Sequence, residues 1–192
     1  MIKIFNLLSY NKVPAVTYGG PIVLPDQPSP ESHKIAESLV LLDFVADLSN
    51  SLLPKDPVLR AKARFFINAV STTLLTSWAS VVFSGEPVEK LLASLESIQA
   101  LLPEEGLAVG PEFTIADASI APFLARVEVV LRNDIGAYDE GTGREAWQAL
   151  QKDAKYARIR EYLGDLKGRE SFKQTFFEVA SLFLVFISFL LT

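Results

Sequence analysis

Three features near the front of the chain could do chemistry together: the Val13-Pro14 bond, Glu31 and Ser32. A Val-Pro bond entering a strand is a candidate cis peptide, because only proline brings the cis form close to the trans form in energy. A cis bond there turns the Val13 amide and carbonyl outward, where they can pair with an extended peptide in a β-like ladder. Ser29-Pro30 reads as a helix start, with a capping hydroxyl and then proline at the first helical position. Glu31 and Ser32 then fall in the first turn, whose unpaired amides attract a carboxylate. The Ser32 hydroxyl adds a hydrogen bond, and Glu31 accepts from an ammonium group. The ligand this corner fits carries an amine and a carboxylate at one end and a peptide amide further along. The plain alternative is an ordinary hairpin followed by an ordinary capped helix.

Local elements must hold these groups in place. Residues 15–18 and 22–24 are short strand candidates, and Gly19-Gly20 between them supplies the positive φ angles of a tight hairpin turn. Pro25, Pro28 and Pro30 make a loop. Ile35, Leu39, Leu42 and Ala46 then mark one apolar stripe of a helix. The stretch around Pro54 reads as a linker, residues 48–56, closing a small first domain of residues 1–47.

From Pro57 onward the pattern is helical. Phe66, Val70, Leu74 and Trp78 stand at four-residue steps in one long helix over 58–83, which Gly85 and Pro87 end. Leu91, Leu95, Ile98 and Leu102 share a face of the next, over 88–102. Thr114-Ile115-Ala116-Asp117 reads as a capping box, with Thr114 and Asp117 in structural roles, opening a helix striped by Ile120, Leu124, Val127 and Leu131. Residues 133–143 form a polar loop, and helices over 145–150 and 157–166 precede a last helix through Ser171-Phe172. The fold class is therefore α+β at the front, a hairpin plus a helix, and all-helical over 57–178.

Composition narrows the chemistry further. The 192 residues are 49% hydrophobic, enough to bury a sizeable core. The net charge of −5, without a dense basic run, argues against nucleic acid as the main partner. There is no cysteine, so disulfides and thiolate metal sites are excluded for this sequence, and the single histidine, His33, cannot build a metal site alone. Residues 1–8 do not read as a secretory signal, and a cytoplasmic address is the default. The apolar tail, 179–192, is shorter than the roughly 20 residues a spanning helix needs. Buried or covered by a partner is the favoured reading of it, and a membrane tether the lesser one. Glu104-Glu105 and Asp139-Glu140 read as solvated loop charges. Gly141-Thr142-Gly143 lacks the context of a phosphate loop. Phe65, Phe66, Trp78 and Phe83 are core aromatics or, alternatively, the lining of an acceptor pocket.

The run Lys12-Val13-Pro14-Ala15, the glycine turn, Glu31-Ser32 followed by Ile35, and the box Thr114-Ile115-Ala116-Asp117 stand in an order that resembles the cytosolic glutathione transferases, over about residues 12–172. The placement of Lys12 and the Pro-rich loop look most like the omega class, in its fungal branch. The resemblance implies a partial thioredoxin-like segment before the helical domain, with glutathione as co-substrate or ligand and no metal. It implies that Val13 and Pro14 meet the cysteinyl part, that Glu31 and Ser32 hold the γ-glutamyl end, and that Lys12 reaches the glycyl carboxylate. It also implies an apolar or electrophilic second ligand, and it allows a homodimer. In that family the thiol-activating residue lies before the Val-Pro motif, where this sequence has only residues 1–11. The expectation is a segment shortened at its N-terminus, impaired in catalysis, with the 13–18 strand left as a sheet edge unless residues 2–5 replace its neighbour. The alternative function is a non-catalytic ligand-binding or dimerisation module.

Overall fold

The computed structural model of the chain describes residues 2–5, 14–23, 29–49 and 51–178, with backbone alone for the first of these. Lys12, Val13 and the apolar tail lie outside the described residues. The chain divides between Leu53 and Pro54 into two compact units.

In the first unit, β1 (Ile2–Phe5), β2 (Ala15–Tyr18) and β3 (His33–Ala36) form one antiparallel sheet in the order β1-β2-β3. Ile2 pairs with Tyr18 and Phe5 with Ala15 on one side of β2; Ala15 pairs with Ala36 and Tyr18 with His33 on the other. The 15–18 strand is therefore central rather than an edge, and residues 2–5 are its neighbour. Its consecutive Ala15, Val16 and Thr17 are all buried, as a strand covered on both faces requires. Helix α1 (Ser38–Ser49) follows β3 after one residue and buries Leu41 and Ala46. The Phe44 ring meets Tyr18 edge-on at 5.1 Å, which ties α1 to the sheet.

Two expectations fail here. Pro21, Ile22 and Val23 take no regular structure, and Ile22 is 78% exposed, so the partner of β2 after the glycines is β3. Ser29-Pro30 opens a β-turn, not a helix: the Ser32 amide donates to the Ser29 carbonyl at 3.1 Å. Proline has the same fixed φ at the second position of a turn as at the first of a helix, so the local signal serves both. Pairing with β2 decides between them. Ile35 consequently lies in a strand, outside the helical stripe it was expected to join.

The second unit is helical throughout its described residues. Asp56 caps α2 (Pro57–Ala69), its carboxylate accepting from the Val58 amide, and a π-helical segment (Val70–Leu75) leads directly into α3 (Thr76–Ser84). Phe66, Val70, Leu74, Val81 and Val82 along this rod are buried. Pro57–Ser84 is long and apolar enough to cross a membrane by length and composition alone, and one face of it, with Ala63, Phe66, Val70, Leu74 and Val81, is buried in the core of the unit. Gly85 ends α3 at φ 68°, where a Cβ would stand 2.8 Å from the Ala137 carbonyl oxygen. Helices α4 (Val88–Gln99), α5 (Ile115–Arg132), α6 (Thr142–Lys152), α7 (Ala157–Gly168) and α8 (Glu170–Thr175) complete it. Leu91, Leu95 and Ile98 of α4 face the core, as do all four residues of the α5 stripe. Leu102 lies beyond the end of α4 and is half-buried. The order expected from sequence, α+β and then all-helical, is the order observed.

Candidate functional site

Pro14 is exposed and stands immediately before β2. Val13, expected to pair with a peptide ligand, and Lys12, expected to reach its glycyl carboxylate, lie outside the described residues. Glu31 and Ser32 are brought to the glycine turn, but not by a helix. The Glu31 amide donates to Ser29 Oγ at 3.2 Å, and the Ser32 hydroxyl donates to the Gly19 carbonyl at 3.0 Å. Gly20, at φ 71°, lies so close that a Cβ would come within 2.7 Å of Ser32 Oγ and 3.1 Å of the Ser32 amide nitrogen. The hydroxyl expected to meet a ligand is thus used to lock two turns together. This corrects the placement of Glu31 and Ser32 in the first turn of a helix.

The arrangement expected of that pair, an acid and a serine at a helix start, is met by the second Glu-Ser of the sequence. Glu37 closes β3 with φ 71°, in the left-handed region that glutamate rarely occupies, and Ser38 begins α1. The first intrahelical bond of α1 runs from the Leu41 amide to the Glu37 carbonyl at 2.9 Å. The amides of Ser38, Leu39 and Val40 therefore have no acceptor within the helix, and they point with the positive end of its dipole. An acid and open amides at one point suit a ligand end bearing both an ammonium and a carboxylate. The signal that could have found this pair was the uninterrupted Leu39-Val40-Leu41-Leu42 after it, against the flanking Pro30 and polar residues of the first.

In the helical unit the capping box is complete. Thr114 Oγ1 accepts from the Ala116 amide at 3.2 Å, while the Asp117 carboxylate accepts from the Thr114 amide at 2.8 Å and the Thr114 hydroxyl at 3.0 Å. Asp117 is fully buried and also accepts from the Ala108 amide at 2.8 Å and the Tyr162 hydroxyl at 2.7 Å. Four donors around one carboxylate at a helix N-terminus satisfy a charge that burial would otherwise penalise.

The family model of the glutathione S-transferase C-terminal domain matches residues 87–165, which hold this box. The crystal structure of glutathione transferase Omega 1C from Trametes versicolor matches with 51% identity and a TM-score of 0.86, over 92% of this chain and 75% of that one. The chain belongs to the glutathione transferase family. Omega 2C from the same fungus matches at 47% identity and TM-score 0.86, over 94% of this chain and 78% of that one. Omega 2S, solved in complex with 2,4-dihydroxybenzophenone, matches at 44% and 0.85, over 91% and 76%. The similarity to fungal omega-class structures agrees with the resemblance read from the sequence. No curated protein matches the chain.

The remaining candidates in this family member take structural places. The amides of Gly141 and Gly143 do hold an anion, but it is the chain's own Asp134 carboxylate, at 2.7 and 2.9 Å, with Arg144 at 3.1 Å. Glu104, Glu105, Asp139 and Glu140 are exposed. Phe65 is 63% exposed while Phe66 is 2% exposed, so the two neighbours face opposite ways, and Trp78 packs edge-on against Phe83 at 5.2 Å. Among the described residues no cluster could hold a metal ion.

Proposed function

We propose that this glutathione transferase family member binds glutathione or a glutathione conjugate, together with an apolar or electrophilic small molecule. Glu37 and the α1 amides take the γ-glutamyl end in this reading, Glu37 accepting from the ammonium and the amides donating to the carboxylate. Val13 and Pro14 meet the peptide portion and Lys12 the glycyl carboxylate. The observation that carries the reading is Glu37 itself, an acid held at φ 71° between a central-sheet partner and an open helix start. Left-handed backbone in a non-glycine residue costs about 1–3 kcal/mol, and such strain gathers at ligand-holding positions.

A fungal omega-class relative was solved with a benzophenone, which supports an aromatic partner beside the tripeptide. The sequence contains no cysteine. No thiol donor stands among these residues, and binding is the role proposed for them.

Calorimetric titration with glutathione and with cysteinylglycine, which lacks the γ-glutamyl group, tests the proposal. Glutathione binds at least tenfold more tightly if the helix start holds that group, since one charge-assisted hydrogen bond is worth about 1.5–3 kcal/mol. Equal heats, or no heat from either, contradict it.

A further inference from the structure

A cavity of about 260 Å³ opens in the helical unit among residues of α4, α5, α6 and α7. That is a volume for a small ligand rather than for trapped water. Its apolar lining is chiefly aliphatic, with Leu95, Leu124, Leu150, Ile159 and Leu163, and the half-buried Trp147 beside them.

Three charged side chains share the lining: Glu128, Arg160 and Lys167. Two of them are matched. Glu128 accepts from Lys167 at 2.6 Å and meets Arg132 at 3.6 Å. Arg160 is the third, and among the described residues it pairs with no carboxylate. Its Nη1 donates to the Leu150 and Asp153 carbonyls, each at 2.7 Å, which fixes the guanidinium at the end of α6. Its Nε and Nη2 have no hydrogen-bond partner among the described residues. Those two N–H groups form the side of the fork that takes both oxygens of a carboxylate in parallel.

Gly164 is a second, independent observation. It stands inside α7 and lines the same cavity, although glycine weakens a helix interior relative to alanine. A Cβ there would meet nothing within 4 Å, so the packing of the chain itself does not demand glycine. What the missing side chain leaves is open space at the cavity.

We propose that this cavity binds an alkyl carboxylate of medium chain length, with its acid group on the Nε and Nη2 edge of Arg160 and its chain among Leu124, Leu150, Ile159 and Leu163. An aliphatic lining suits a flexible hydrocarbon chain, and one unmatched guanidinium suits one acid group. The site shares no residue with Glu37 or the α1 amides, and its test uses no glutathione. Failure here and failure of the proposed function are therefore separate results.

The full chain is titrated calorimetrically with octanoate and with 1-octanol, which share a chain length and differ in the acid. Octanoate is expected to bind at least tenfold more tightly, with an affinity that falls as salt is raised. In Arg160→Met, which keeps the apolar stem, the preference should drop to threefold or less. Arg160 also holds two carbonyls, so a second variant separates binding from stability. Gly164→Leu breaks no side-chain bond at an exposed helical position, and leucine favours helix. It should unfold at a higher urea concentration than the parent while losing at least tenfold in octanoate affinity. Equal affinities for the two probes, an undiminished preference in Arg160→Met, parental octanoate binding in Gly164→Leu, or binding that appears only when residues 179–192 are deleted would each overturn the proposal. The last result would identify the chain's own tail as the occupant.

Discussion

The Tyr162 hydroxyl donates to the Asp117 carboxylate at 2.7 Å, across two helices. One fully buried acid thereby joins the start of α5, the loop at Ala108 and the middle of α7. The capping box is thus more than a local cap, because the tertiary fold supplies half of its donors.

Removing the acid leaves buried donors without an acceptor. Asp117→Ala is expected to cost about 3–5 kcal/mol, since each orphaned donor carries a desolvation penalty. Tyr162→Phe deletes one bond and leaves the carboxylate three other donors, so its cost is about 1–3 kcal/mol. Urea unfolding of the two variants beside the parent measures both.

The same contact sets an alkaline limit. Burial, and then the neighbouring Asp117 charge, raises the Tyr162 pKa above its ordinary 10.0. A group with a raised folded-state pKa contributes stability that is fully present below the unfolded value. Stability should therefore fall as pH rises above about 10, where the unfolded chain releases the proton and the folded one retains it. Tyr162→Phe should flatten that fall. Urea midpoints between pH 8 and pH 11 check it, and parallel curves for the two proteins would contradict it.

Glu37 offers a trade between stability and binding. Glycine accepts φ near 70° without strain, so Glu37→Gly should stabilise the protein by about 1 kcal/mol while removing the carboxylate. The expected outcome is a higher urea midpoint with weaker glutathione binding. Stabilisation without loss of binding would leave Glu37 a turn residue and nothing more.

The loop before α6 depends on Asp134. Its carboxylate accepts from the Gly141 and Gly143 amides and meets Arg144. Asp134→Ala should cost about 2 kcal/mol and loosen residues 134–143, seen as faster amide exchange at Gly141 and Gly143.

The helical unit was largely legible in the sequence because its signals are periodic and locally complete. Thr114 and Asp117 carry their own partners within one turn, and the Ile120, Leu124, Val127 and Leu131 stripe turned out fully core-facing. The front of the chain was not, because its signals are ambiguous until a partner strand is known. Ser29-Pro30 supports a turn or a helix equally well, and only pairing of Lys34 with Thr17 and of Ile35 with Val16 makes 33–36 a strand. That one local choice moves the helix start from Ser29-Pro30 to Glu37-Ser38. The four donors of Asp117 were half visible, since Ala108 and Tyr162 come from distant sequence. The π-helical segment at Val70–Leu75 has no sequence signature that we can name.

The most direct test of the central claim is calorimetric titration of glutathione into the parent protein, Glu37→Ala and Glu31→Ala. Alanine at position 37 keeps the left-handed strain of glutamate, so a change reads the carboxylate rather than the backbone. The site described here predicts at least a tenfold loss of affinity in Glu37→Ala and an unchanged affinity in Glu31→Ala. Loss confined to Glu31→Ala, or parental binding by Glu37→Ala, would contradict it.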